Sequence, residues 1–119
     1  MRVVGAVGGL VEGLRDRIRA VAVTLVSRDG VVLYASLPSG VPAETYGIMC
    51  ATMYGAAAAA NAELGRSPPE RLVLHGGGAT TIVVGCGPYA LLVAAVEPSS
   101  ELPAVIAEVT QTGLRLAPA

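Results

Sequence analysis

The chain is predicted to fold as an α+β domain with the order α-β-β-α-β-β-β-α around a five-stranded antiparallel sheet. Two observations carry this. Turn strings (Ser27-Arg28-Asp29-Gly30, Gly76-Gly77-Gly78 and Gly85-Cys86-Gly87-Pro88) join β-rich runs at hairpin distance, which makes neighbouring strands antiparallel. Three longer segments, at the two ends and in the middle, instead space their apolar residues at helical period. At 119 residues the whole chain, 1–119, is one domain with room for a core that needs neither disulfides nor metals.

The first helix is expected over Arg2 to Arg19, with Val3, Val7, Leu10, Leu14 and Ile18 on one stripe. Glu12, Arg15, Asp16 and Arg19 read as a solvated ion-pair surface beside it. Gly5, Gly8, Gly9 and Gly13 each weaken this helix by roughly 1 kcal/mol relative to alanine, so it depends on docking. Ala20 to Val26 is apolar on both faces and suits a central strand. Gly30 supplies the turn into a second strand, Val31 to Ser36. After a helix in the middle come strands at Arg71–His75, Ala79–Val84 and Tyr89–Val96, with Gly76-Gly77-Gly78 as a loose hairpin loop. Pro98-Ser99-Ser100 starts the last helix with a serine cap, Leu102, Val105, Ile106 and Val109 form its apolar stripe, and Gly113 is its expected stop.

The middle helix, from about Pro42 to Leu64, is the most informative segment. Pro42 and Glu44 suit its first turn, and Gly65-Arg66-Ser67-Pro68-Pro69 ends it. Its stretch YGIMCATMYGAAAAA, Tyr46 to Ala60, has no charged side chain. Tyr46, Met49, Met53 and Leu64 fall near one stripe; Ile48, Ala51, Gly55, Ala59 and Ala62 form an opposite, smaller and equally apolar one. A helix apolar all round must be buried on more than one side. One sheet covers one side, so the other requires a second copy or a partner.

Composition points the same way. Hydrophobic residues make up 53% and charged residues 14% of the chain, and mean hydropathy is +0.62, so a large core or a large interface must absorb the excess. The longest uncharged helical stretch falls short of the roughly 18 to 20 strongly apolar residues of a membrane span. Charges at Glu12, Arg15, Asp16, Arg17 and Arg19 disfavour a signal peptide, so a cytoplasmic location is expected. A net charge of −1 makes a nucleic-acid partner improbable. All eight basic residues are arginine, a bias that suits a GC-rich prokaryotic genome and a thermophile. Cys50 and Cys86 read as two buried small hydrophobes, with a disulfide between them left open.

No catalytic constellation emerges. His75-Gly76-Gly77-Gly78 matches an oxyanion-hole string, but no serine sits on a G-x-S-x-G elbow. Gly85-Cys86-Gly87-Pro88-Tyr89-Ala90 fits a relaxed dinucleotide fingerprint, yet a strand follows it where a helix should open. With one histidine and no lysine, neither an acid–base dyad, nor a metal cluster, nor a phosphate loop can be assembled. The expectation is no enzyme, no cofactor and no metal. Arg28, in its turn, is expected to be an exposed side chain.

Three strings, AVTLVSRDGVVLYAS (Ala22 to Ser36), ATMYGAAAAANAELGR (Ala51 to Arg66) and YALLVAAVEPSSELPAVIAEV (Tyr89 to Val109), together with the element order, resemble the Roadblock/LC7 family. The resemblance implies a roadblock/profilin-like sheet with the middle helix on one face and the terminal helices on the other. It implies homodimerisation through the middle helix and the third strand, and a non-catalytic scaffold or regulator of a Ras-like small GTPase. On this basis the dimer interface is expected at Tyr46, Met49, Met53, Ala57 and Ala60 of the helix and at Arg71, Val73 and His75 of the strand. The rival readings are a profilin-, PAS- or GAF-like small-ligand sensor, which needs a pocket between sheet and helix, and a purely structural dimerisation domain.

Overall fold

The computed structural model describes residues 2–98 and 101–117. Its elements are α1 (Arg2–Ile18), β1 (Ala22–Ser27), β2 (Val32–Ser36), α2 (Ala43–Glu63), β3 (Arg71–Gly76), β4 (Ala79–Cys86), β5 (Ala90–Val96) and α3 (Leu102–Leu116). The strands form one sheet in the order β2-β1-β5-β4-β3, and every neighbouring pair is antiparallel: β1–β2, β3–β4 and β4–β5, as the turn strings predict, and β1–β5, which no turn joins. β1 and β5 are central and apolar on both faces. The edges are β2 and β3.

Strand alternation sorts the core into two layers. Val23, Leu25, Ile82, Val84, Cys86, Leu92, Ala94 and Val96 meet Val11 and Leu14 of α1 and Val109 of α3 on one face. Val26, Val83, Leu91 and Val93 meet Cys50 and Tyr54 of α2 on the other. The two cysteines are therefore on opposite faces of the sheet, both free, and no disulfide joins them. Burial pushes both thiols above their ordinary range, which keeps them protonated at neutral pH.

Several local expectations are corrected. The hairpin loop Gly76-Gly77-Gly78 is tight rather than loose: Gly76 pairs with Ala79, and Gly77 and Gly78 both take positive φ (65° and 77°), as a two-residue turn of the primed kind requires. Gly113 does not stop α3; it lies buried inside it, where an added Cβ would meet Val84 Cγ2 at 3.1 Å and the Gly85 carbonyl at 3.3 Å. Glycine there lets the helix approach the sheet. At the start of α3, Glu101 is the N-cap and makes no side-chain capping bond; the serine cap at Ser99 and Ser100, like the side chains of Arg2 and Val3, lies outside the described residues. Among those residues no helix is long and apolar enough to cross a membrane.

The charged face of α1 is also not a simple solvated ion-pair surface. Glu12 accepts hydrogen bonds from Tyr34 Oη and Ser36 Oγ, both 2.8 Å. Arg15 donates to Ser36 Oγ at 2.8 Å and to the carbonyls of Ala20 and Val21. The ion pair is instead Arg17 to Glu108 of α3, at 3.0 Å. The Glu12 and Arg15 bonds to Tyr34 and Ser36 fasten a glycine-rich helix to β2. The hydrogen bonds from Ser36 and then Tyr34 hold the Glu12 carboxyl below its ordinary value of 4.5. A carboxylate with a depressed folded pKa adds stability above its unfolded pKa, and that stability disappears as pH falls through the folded value. Glu12→Gln should therefore be less stable than the parent at pH 7. The gap, below about 1 kcal/mol because the site is solvent-screened, should close as pH falls from 4.5; urea titrations across that range measure it.

Two glycines of α2 make a second test. A Cβ on Gly47 would come within 2.5 Å of Val32 Cγ2, whereas one on Gly55 would meet nothing within 4 Å. Gly55→Ala should stabilise the fold by about 1 kcal/mol through helix propensity. Gly47→Val should destabilise it by about 1–3 kcal/mol through overpacking against β2. Thermal denaturation of the two variants should move in opposite directions.

Candidate interaction surface

Within the single chain α2 buries one stripe, against the sheet. Gly47, Cys50, Ala51 and Tyr54 face the sheet, a line that lies between the two stripes read from the sequence. Tyr46 and Ile48, one residue to either side of Gly47, must point to opposite flanks at 3.6 residues per turn. Ile48 lies over the β1–β2 turn, 3.3 Å from where a Cβ of Gly30 would be. The Tyr46 flank consequently faces the β3 side of the sheet. On that side Tyr54 Oη also donates to the Pro69 carbonyl at 2.8 Å, tying α2 to the segment that enters β3.

The helix backbone lies nearest β1 and β2; Cys50 and Tyr54 still bury Val83 of β4, and it is the outer edge, at β3, that α2 covers least. The widths explain this. Five strands at about 4.8 Å spacing span roughly 20 Å, while a helix with its side chains is about 10–12 Å across. The opposite face has two helices, α1 and α3; this face has one. Next to α2 the sheet therefore presents Leu72, half-buried, and Leu74, 52% exposed. Beyond them is the free edge of β3.

The helix residues expected at an interface fall together on the flank that borders this gap. Tyr46, Met49, Met53, Ala57 and Ala60 recur at spacings of three and four and form one stripe. Tyr46, Met53 and Ala57 are half-buried, whereas Ala60 and Met49, the latter at 57%, are exposed. Leu64, grouped with them in the sequence, is the C-cap and is exposed.

The strand residues are placed differently. Arg71, Val73 and His75 pair with Val84, Ile82 and Thr80, so their side chains lie on the α1/α3 face, away from α2. Only their backbone shares the free edge with the helix stripe. Leu72 and Leu74 are the β3 side chains on the α2 face, and sequence reasoning missed them. Leu72, Val73 and Leu74 are all apolar, so strand polarity could not set the parity; the pairing with β4 does. His75 Nδ1 is 3.2 Å from Thr80 Oγ1.

Arg28 is not the exposed side chain expected. It is half-buried, with its guanidinium 5.2 Å from the centroid of the Tyr54 ring and Nη2 donating to the Gly87 carbonyl at 2.9 Å. Gly85 leaves room for it, since a Cβ there would stand 3.0 Å from Nη2. The side chain thus pins the β4–β5 turn and α2 to the end of β1. Arg28→Ala should cost about 1–2 kcal/mol from the lost stack and hydrogen bond. Arg28→Lys should recover less than half, because an ammonium cannot reproduce the flat stack; comparing the two midpoints in urea checks this.

Among the described residues no three of His, Cys, Asp and Glu come together as a metal site would require. What the surface offers is an apolar helix flank and an open strand edge, the features of a module that meets other proteins. By arrangement the chain is an α+β domain of the roadblock fold. Residues 10–95 match the Roadblock/LC7 domain model, and the chain belongs to that family. It is similar to an uncharacterised protein of Methanocaldococcus jannaschii, 35% identical over 69 residues, a match covering 58% of this chain and 58% of the relative. The chain thus spans less than two thirds of that relative's length. Among solved structures, MglB with tetrameric arrangement has TM-score 0.90 at 22% identity, covering 98% of this chain and 89% of that one. Myxococcus xanthus MglB has TM-score 0.85 at 14% identity, covering 91% and 89%. At such identities the likeness is one of fold.

Proposed function

We propose that this chain is a non-catalytic homodimeric scaffold or regulator that binds a Ras-like small GTPase. The observation that carries the reading is the partly covered α2 face: a stripe of Tyr46, Met49, Met53, Ala57 and Ala60 beside Leu72, Leu74 and the unpaired edge of β3. A second copy supplies what is missing. Its α2 packs beside the first, and its β3 pairs with the free edge, in the isologous way of a twofold dimer. Arg71, Val73 and His75 contribute through their backbone at this edge. Family membership supports a regulatory or scaffold role linked to small GTPases, and the likeness to an MglB of tetrameric arrangement supports self-association. A cytoplasmic location follows from such a partner.

The paired α2 helices form a broad neutral platform that a single copy lacks, so GTPase binding and dimerisation are lost together. Met53→Glu places an unpaired carboxylate in the seam, at a cost of several kcal/mol; the variant should aggregate or dissociate and should no longer bind the GTPase. The test is a calorimetric titration of the parent and the variant with a Ras-like GTPase from the same genome, loaded in turn with GDP and with a non-hydrolysable GTP analogue. The reading expects binding to the parent in at least one nucleotide state, at one or two GTPases per dimer. Undetectable binding in both states would remove the GTPase and leave a structural dimer.

A further inference from the structure

Three arginines close α1, and they are not equivalent. Arg15 is tied to Ser36 and to two carbonyls. Arg17 donates to Glu108 and, at 3.4 Å, to Thr112. The Arg19 side chain makes no hydrogen bond or ion pair among the described residues. Yet Arg19 occupies the most constrained position of the three. The helix ends with Arg19 N–H bonded to the Asp16 carbonyl and Ala20 N–H to the Arg15 carbonyl, the helix-ending arrangement whose left-handed residue is usually glycine. Arg19 is the non-glycine residue with positive φ, 54°, among the described residues. That conformation costs energy, and no hydrogen bond or ion pair of the side chain among the described residues offsets it.

The surroundings fit a ligand. Arg19 lines a cavity of about 570 Å³ between the last turn of α1 and the first turns of α3, within the size range of small-molecule sites. Ile18, Ala104 and Val105 give it apolar lining. Of its two carboxylates, Glu108 is paired with Arg17, and Glu101 has an interaction of its own. The unmatched group is the Arg19 guanidinium, a fork suited to an oxyanion.

We propose that this cavity, on the face of the sheet opposite α2, is a binding site for a small organic acid whose carboxylate or phosphate pairs with Arg19 and whose short apolar body lies on Ile18, Ala104 and Val105. The site is separate from the proposed dimer seam. The test titrates ¹⁵N-labelled protein with hexanoate, hexyl phosphate and hexanol. Saturable shifts of the Arg19, Ala104 and Val105 amides with either acid, and none with hexanol, are expected, and the acid that binds identifies the head group. Arg19→Gln should weaken that binding at least tenfold without changing the fold. Arg19→Gly should abolish it while raising the melting temperature, because glycine relieves the left-handed strain. No saturable shift with either acid, equal binding of hexanol, or an Arg19→Gln variant that binds like the parent would overturn the proposal.

Discussion

A five-stranded sheet is about twice as wide as one helix, and the rest of this molecule is arranged around that mismatch. On one face α1 and α3 meet the need together, joined by the Arg17–Glu108 pair. On the other face α2 stands alone, nearest β1 and β2 and reaching as far as Val83 of β4. Its approach there is set by Gly47, which lets the helix backbone come down on Val32. The closer α2 lies to β2, the less of the β3 edge it can cover. Met49 and Leu74 are exposed at this gap, and Met53 and Leu72 are half-buried beside them.

The small residues of α2 have a double consequence. Toward the sheet, glycine and alanine permit close packing. Away from it, Ala56, Ala59 and Ala60 leave a smooth, uncharged surface on which another backbone can lie near. Such a helix gains little from solvent exposure, so its stability comes from what packs on it. Arg28 and Tyr54 show how its position is fixed from the inner side: one stacks on the other, and each reaches a carbonyl in a neighbouring connection. The orientation of the outer flank is thus set by contacts within the single chain.

Much of the fold was legible in the sequence because hairpin turns and helical periods are local signals. Element order, strand pairing and the placement of the longest helix follow from them. What was not legible depends on tertiary distance. Gly113 looks like a helix stop until the Gly85 carbonyl is seen 3.3 Å from where its Cβ would be. The run Leu72-Val73-Leu74 has no polarity to reveal which side faces α2. The buried stripe of α2 is set by Gly47, Cys50, Ala51 and Tyr54, and in a helix apolar all round no periodicity could select it. Arg28 looked exposed because it sits in a turn; its stack on Tyr54 joins residues far apart in sequence. Arg19, an ordinary surface arginine in the sequence, becomes distinctive only through its backbone conformation.

The central claim is that the open β3 edge and the outer flank of α2 are covered by a second copy of the chain. Sedimentation equilibrium of the purified protein at low micromolar concentration tests it most directly. The account predicts a single species of twice the 11.9 kDa chain mass, with no folded monomer on dilution through that range. A monodisperse, folded 11.9 kDa monomer would contradict it.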